Sequence, residues 1–249
     1  VPMPIAIIAA LLISAVLGLW NGFLVAKLGV QPIVATMILM TAGRGIAQLI
    51  TKGNIITVYY EPFYTIGAGY LLGIPVAVYI AASVFILLML LVHKTSFGMF
   101  VKSVGYNRVA SRYTGLAVNR VILICYTISG FCAGIAGLII SSEVKSADGN
   151  NAGLYLELDA ILSSAMAGNS MAGGKFSIPA SAIGALVIQT LTTTIYATGV
   201  APEIIMVVKA IIVILICIIQ SPQFARIVPR NLFAGKKEVR YEENTVKLQ

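Results

Sequence analysis

The chain has 249 residues, of which 59% are hydrophobic and only 10% charged, with a mean hydropathy of +0.95. Soluble domains carry about 25% charged residues, so a water-soluble globular fold is excluded. The apolar runs are long and continuous rather than alternating, which points to membrane-spanning helices and not to a barrel.

The first apolar run, Ile5 to Leu19, is long enough to span, with Trp20 as an interfacial anchor. Asn21-Gly22 and Lys27-Leu28-Gly29 read as an interfacial bend. Gln31-Pro32 opens the second span, because proline is suited to a first helical turn where its missing N–H costs nothing. That span runs from about Ile33 to Ile50 and carries Arg44 between Gly43 and Gly45, with Gln48 one turn later on the same face. Thr51 to Gly73 is a polar, aromatic loop, and Ile74-Pro75 starts a third span that ends at Val92.

His93 to Arg120 carries Lys94, Lys102, Arg108, Arg112 and Arg120 and no acidic residue. Basic residues beside spans mark the cytoplasmic side, so this loop fixes the orientation of all other segments. Gly98 and Gly105 punctuate it, and Asn107 to Tyr113 reads as a short helix closed by Gly115. Such a helix is either a surface for a soluble partner or a basic amphipathic linker resting on lipid headgroups.

Val121 to Ser141 is the fourth span, with Gly130-x-x-x-Gly134 and Ala133-x-x-x-Gly137 pairs that admit a close helix neighbour. Ser142 to Leu156 is an outer loop. Glu157 to Ala167 is a helix too short to cross a bilayer of roughly 30 Å, followed by a glycine-rich break from Gly168 to Gly174. Ile178 to Ala197 and a last span from Gly199-Val200-Ala201-Pro202 to Ile219 complete about six crossings or part-crossings. The two Gly-Val-x-Pro starts, at Gly29 and Gly199, are a faint internal echo. Lys27, Lys175 and the tail from Arg226 then share a side with the basic loop, while Lys52, Glu61, Lys145 and Asp148 lie on the other. This distribution explains the net charge of +8 without nucleic acid. The expected organisation is a permease domain over 1–225 and a basic cytoplasmic tail over 226–249.

Cys125, Cys132 and Cys217 lie inside apolar runs and read as small packing residues rather than redox or metal groups. His93 reads as an interfacial anchor at a span end. The Gly168–Lys175 stretch lacks the glycine spacing and hydroxyl residue of a phosphate loop, and Gly67-x-Gly69-x-x-x-Gly73 misses the dinucleotide spacing. No Ser-His-Asp, His-Glu-x-x-His or paired-cysteine metal pattern occurs, so no catalytic or metal site is expected. Arg44 is costly within a span, at about 2.5–3.5 kcal/mol at the bilayer centre, and either faces a polar interior or snorkels to the interface. Broken helices at membrane depth are tolerated only inside protein or beside a water-filled cavity. Glu157 and Asp159 fit either a helix first turn, where the dipole favours acids, or substrate contact.

Phe97-Gly98, Val104-Gly105-x-Asn107, Ala110 and Thr114-Gly115-Leu116 resemble the cytoplasmic loop of ribose-type ABC importer permeases. Glu157-Leu-Asp-Ala-Ile161 followed by Gly168-x-Ser170-x-x-Gly173-Gly174 is similar to their C-terminal signature, and Asn21 to Lys27 with Gln31 to Thr36 is similar to their early helices. Ile38 to Ile50 and Ala147 to Leu154 look closest to the galactofuranose-type members.

The resemblance implies an all-α polytopic bundle with a broken helix near the C-terminal third, in a bacterial inner membrane with a cytoplasmic C-terminus. It implies a dimer of permeases, homomeric or heteromeric, docked on ABC ATPase subunits that hold ATP and magnesium and fed by an extracytoplasmic sugar-binding protein. Gly98, Gly105, Asn107, Arg108, Ala110, Arg112 and Gly115 would couple to the ATPase; Arg44, Gln48, Glu157, Asp159, Asn169 and Ser170 are candidates for the translocation path. Two positions depart from the family pattern: Ser111, beside Ala110, stands where an alanine is usual, and Asn169 where a glycine is common. The family's earlier spans are expected to precede this piece. The rival readings are an ion-coupled secondary transporter or channel, which would need acidic relays in its spans, a membrane enzyme, and a structural membrane subunit.

Overall fold

The computed structural model describes residues 2–170, 173, 174, 176–197, 199, 207, 208, 210 and 211. Five helices among them are long and apolar enough to cross a membrane: α1 (Met3–Ala26), α2 (Pro32–Thr51), α4 (Val76–Lys94), α7 (Val118–Val144) and α9 (Ile178–Ala197). Shorter helices are α3 (Glu61–Gly67), α5 (Ser96–Tyr106), α6 (Arg108–Tyr113) and α8 (Leu156–Met166). Most of the expected span ending at Ile219, together with Lys175, Cys217 and the tail, falls outside the described residues.

Helix α1 packs along α7. A Cβ on Gly18 would lie 2.5 Å from the Tyr126 carbonyl oxygen and 3.0 Å from the Gly130 Cα, and one on Gly130 would lie 2.5 Å from the Ser14 carbonyl oxygen. Gly134 faces the Ser14 side chain, whereas Gly137 has nothing within 4 Å. The Gly130/Gly134 pair therefore makes the helix contact and Gly137 takes no part in it.

The bend expected at Asn21-Gly22 is corrected: both residues lie within α1 and are buried. A Cβ on Gly22 would sit 3.1 Å from the Leu123 Cα, so these small and polar residues serve helix contact rather than a turn. The chain turns later, at Gly29, whose φ is +71°. Pro32 occupies the first turn of α2 as its chemistry dictates.

At the basic end, α5 lies against the start of α7 through a buried cluster of Val104, Val118 and Val121, ringed by Phe97, Phe100, Val101, Ile122 and Cys125. Gly98 and Gly105 do not punctuate this segment. Both lie inside α5, where Gly98 admits the Val92 carbonyl and Gly105 admits the backbone of Gly174.

The opposite end is tied together by two loops. Strand β1 (Ile56–Thr57) pairs antiparallel with β4 (Ser146–Ala147), and the Val58 N–H donates to the Lys145 carbonyl at 3.0 Å. Helix α7 runs past the expected boundary at Ser141, because Ser142 is fully buried beneath α3. Its hydroxyl accepts from the Gly67 N–H at 2.8 Å and donates to the Phe63 carbonyl at 2.5 Å. Strands β2 (Tyr70–Leu71) and β3 (Ile74–Pro75) form a hairpin whose turn, Leu72-Gly73, has positive φ at both positions. Pro75 consequently caps α4 instead of starting it.

Pro2 and Met3 line a cavity with Val58, Tyr60 and Phe63, so α1 begins at this loop-tied end and finishes at the basic one. Helices α1, α2, α4 and α7 alternate in direction as the charge distribution requires. Helix α8 covers roughly 16 Å at 1.5 Å per residue, which is half a bilayer, and packs on α9, where Gly184 admits the Ser163 carbonyl.

Replacing Gly130 by leucine should disrupt the α1–α7 contact, at the upper end of the roughly 1–3 kcal/mol typical of overpacking. A thermal-unfolding series in detergent should show a large fall for Gly130→Leu and little change for Gly137→Ala.

Candidate functional site

Three features at the basic end assemble around α6. Asn107 caps it, its Oδ1 accepting from the N–H groups of Val109 and Ala110 at 3.0 Å each. Gly115, at φ +82°, closes it in a conformation that glycine adopts freely. Ser111 is the one residue of α6 that is buried, while Arg108, Val109, Ala110, Arg112 and Tyr113 face outward, Tyr113 with 88% and Val109 with 64% of its surface exposed. The serine that departs from the family pattern thus lies on the inward face, away from that outward surface.

Helix α5 joins this surface to the glycine-rich break. A Cβ on Gly105 would lie 2.7 Å from the Gly174 nitrogen, one on Gly173 2.6 Å from the Gly105 carbonyl oxygen, and one on Gly174 2.9 Å from the Tyr106 ring. Gly173 and Gly174 have φ of +100° and +94°. Three glycines bring two backbones together without intervening side chains. Beside them the Lys102 ammonium lies 5.7 Å from the Phe176 ring centroid.

Within the break, the Asn169 amide is engaged by the protein itself. Its Oδ1 accepts from the Ser177 N–H at 2.8 Å, and its Nδ2 donates to the hydroxyls of Ser181 at 2.6 Å and Ser164 at 3.3 Å. Asn169 therefore bridges α8 to the start of α9. Ser170 is exposed, and its carbonyl accepts from the Gly173 N–H. Glu157 and Asp159 occupy the first turn of α8, favourable for acids at a helix N-terminus, with Glu157 exposed.

Arg44 lines a cavity of about 460 Å³ between α2 and the loop after β4, with Thr36, Gly43, Ala47, Asp148 and Ala152 among its walls. Arg44 is half-buried and makes no ion pair or hydrogen bond with a described residue. Asp148 is held by its own loop: its Oδ1 accepts from the Asn150 N–H at 2.7 Å and its Oδ2 from the Asn151 Nδ2 at 3.1 Å. The Asn150 backbone bond in particular keeps its carboxyl below the usual range. Gly149 lets this loop lie on α2, since a Cβ there would be 3.3 Å from the Ala47 carbonyl carbon and the Gln48 nitrogen. Gln48 itself does not line the cavity.

The expected residues thus separate into a surface (Asn107 to Gly115), a joint behind it (Gly105), a bridging group (Asn169) and a distant cavity (Arg44). Sequence reasoning missed that Arg44 and Asp148 line one cavity and that Gly105 contacts Gly174. Both juxtapositions join segments far apart in the chain, and no local signal announces them. Among the described residues no group of histidine, cysteine and acidic side chains is arranged to hold a metal.

A helical membrane protein with alternating spans, a basic helix pair at one end and a broken hairpin reaching that pair has the organisation of a transport permease. Comparison makes this specific. The chain belongs to the family described as the permease component of the branched-chain amino acid transport system, whose model matches residues 1–217.

It is 46% identical over 226 residues to the galactofuranose transporter permease protein YtfT of Escherichia coli, covering 91% of this chain and 66% of the relative. The fructose import permease protein FruF of Bifidobacterium longum is 40% identical over 240 residues, covering 95% and 66%. The ribose import permease protein RbsC of Escherichia coli is 34% identical over 221 residues, covering 87% and 68%. The chain spans about two thirds of the length of these relatives. No solved structure gives a significant match. The chain is a multi-pass membrane protein, and the resemblance carried by its motifs to sugar-importer permeases is borne out.

Replacing Asn169 by alanine removes three hydrogen bonds and leaves the Ser177 N–H unpaired, which should cost on the order of 1–3 kcal/mol. Faster proteolysis of the segment between α8 and α9 should report it, with Asn169→Asp milder than Asn169→Ala.

The lowered Asp148 pKa carries its own sign. The ionised carboxylate stabilises the loop at neutral pH, and that contribution is lost as pH falls through the lowered value. Protection of the Asn150 amide against hydrogen exchange should persist through mild acid, drop in strong acid, and be weak at every pH in Asp148→Ala.

Proposed function

We propose that the chain is the membrane-spanning subunit of an ATP-driven importer of a monosaccharide. It sits in the bacterial inner membrane with the basic end and C-terminus in the cytoplasm. It pairs with a second permease subunit, docks on ABC ATPase subunits that bind ATP and magnesium, and receives sugar from an extracytoplasmic binding protein. The named activities of the relatives, for galactofuranose, fructose and ribose, support this substrate class.

The observation that carries the reading is the outward face of α6. Arg108 and Arg112 stand beside exposed Val109 and Tyr113 on a capped helix. Arginine with aromatic and aliphatic groups is the composition of a protein contact rather than of a headgroup mat. Behind that face, the Val104–Val118–Val121 cluster backs α5 against α7, and Gly105 rests on Gly174. A push on α6 therefore has a rigid route to the broken hairpin α8–α9, the part of the bundle least able to seal the bilayer. ATP binding by the partner closes the ATPases, α6 moves with them, and the hairpin shifts to open the path on alternate sides. Glu157 and Asp159 at the start of α8 and Ser170 in the break are the path candidates on this hairpin, with Asn169 holding its two halves in register.

In the assembled transporter, Arg108→Glu with Arg112→Glu should lower ATP hydrolysis stimulated by sugar-loaded binding protein by about tenfold or more, because reversed charges meet a surface built for cations. Immunoblotting should show the same amount of chain in the membrane. Undiminished stimulation, or uptake that persists in vesicles lacking any ATPase, would count against the reading.

A further inference from the structure

We infer that the cavity framed by Arg44 and Asp148 is a recognition subsite for an uncharged, hydroxyl-rich solute of monosaccharide size, at the end of the molecule opposite α6. The inference rests on the permease reading above and adds to it a place and a chemistry.

The cavity is a wide-open depression of about 460 Å³ and adjoins a second of about 410 Å³ that shares Ala47, Asp148, Gly149 and Ala152. Its two charged walls come from different elements, Arg44 from α2 and Asp148 from the loop after β4. They form no ion pair with each other, so neither neutralises the other by contact.

The guanidinium offers five N–H donors and meets no described partner. The Asp148 carboxylate has about four acceptor positions, of which the backbone N–H groups of Asn150 and Asn151 and the Asn151 side chain take three. A site with one free donor cluster and one part-free acceptor selects for groups that accept and donate at once, which hydroxyls do. An anion would be held by Arg44 but repelled by Asp148, and a cation the reverse. Beside Thr36, the remaining wall includes apolar Leu39, Met40, Ala47 and Ala152, which suit the C–H face of a sugar ring.

Room is available because Gly43 lines the cavity and a Cβ there would meet nothing within 4 Å. A cation in a span also needs a wet or polar surrounding, and an aqueous sugar route supplies one.

The test uses the complete transporter in proteoliposomes, with galactofuranose, fructose and ribose as probes. In a background with Cys125, Cys132 and Cys217 replaced by alanine, an Ala152→Cys variant is labelled from outside with a membrane-impermeant thiol reagent during turnover. The sugar that is transported should slow labelling by about threefold or more, and sodium gluconate at equal concentration should not. Arg44→Gln should raise the sugar concentration for half-maximal uptake by about tenfold, the loss expected for one hydrogen bond to a charged group, and Arg44→Lys less.

Gly43→Phe, whose Cβ would meet nothing within 4 Å, should abolish uptake while the chain remains at normal abundance. Unprotected labelling together with normal uptake by Gly43→Phe would overturn the subsite while leaving the permease reading intact. Absence of uptake of every probe by the unmodified transporter would overturn both.

Discussion

Where α1 crosses α7, no side chain separates the two backbones. Gly18 and Gly130 present bare Cα atoms to each other, and the Tyr126 and Ser14 carbonyls fill the space where Cβ atoms would stand. Lipid gives helices no hydrophobic reason to associate, so close van der Waals packing of this kind must supply it. Helices α3, α5 and α6 also contact α7, which carries the valine cluster against α5 at one end and buried Ser142 under α3 at the other.

That arrangement makes α7 a rod with a different task at each end. At the basic end it backs the surface of α6 and the glycine joint between α5 and the broken hairpin. At the far end it holds two loops in one small ladder and presents Asp148 to α2. The cationic face and the Asp148 wall of the mixed-charge cavity, both proposed for function, thus lie at the two ends of one helix, while Arg44 faces Asp148 from α2. A helix of 27 residues is long enough to hold them on opposite sides of a bilayer.

The long helices were legible because their signals are local and continuous: Ile178 to Ala197 coincides with α9 at both ends, and Pro32 opens α2. The cap and closure of α6 were legible too, since Asn107 and Gly115 act within a few residues of themselves. Asn21 and Gly22 misled, because a polar–glycine pair looks the same in sequence whether it turns the chain or packs a helix against another. Gly98 and Gly105 misled for the same reason, being read as breaks when they are the flat faces of α5. Arg44 lines its cavity together with a loop that begins about a hundred residues later, a neighbour that no helical periodicity announces.

The Ser142 clamp has a consequence for how the molecule is made. Its partner Gly67 is 75 residues earlier in the chain, and the glycine face of α1 is earlier still. The glycine stripe of α1 meets its α7 partner only once α7 has been made, and the buried Asn21 Oδ1 has no hydrogen-bond partner among the described residues. Two further spans, α2 and α4, must be synthesised before α7 arrives to cover that stripe. The contact between these two bare helix faces is therefore fixed late, by the birth order of its helices.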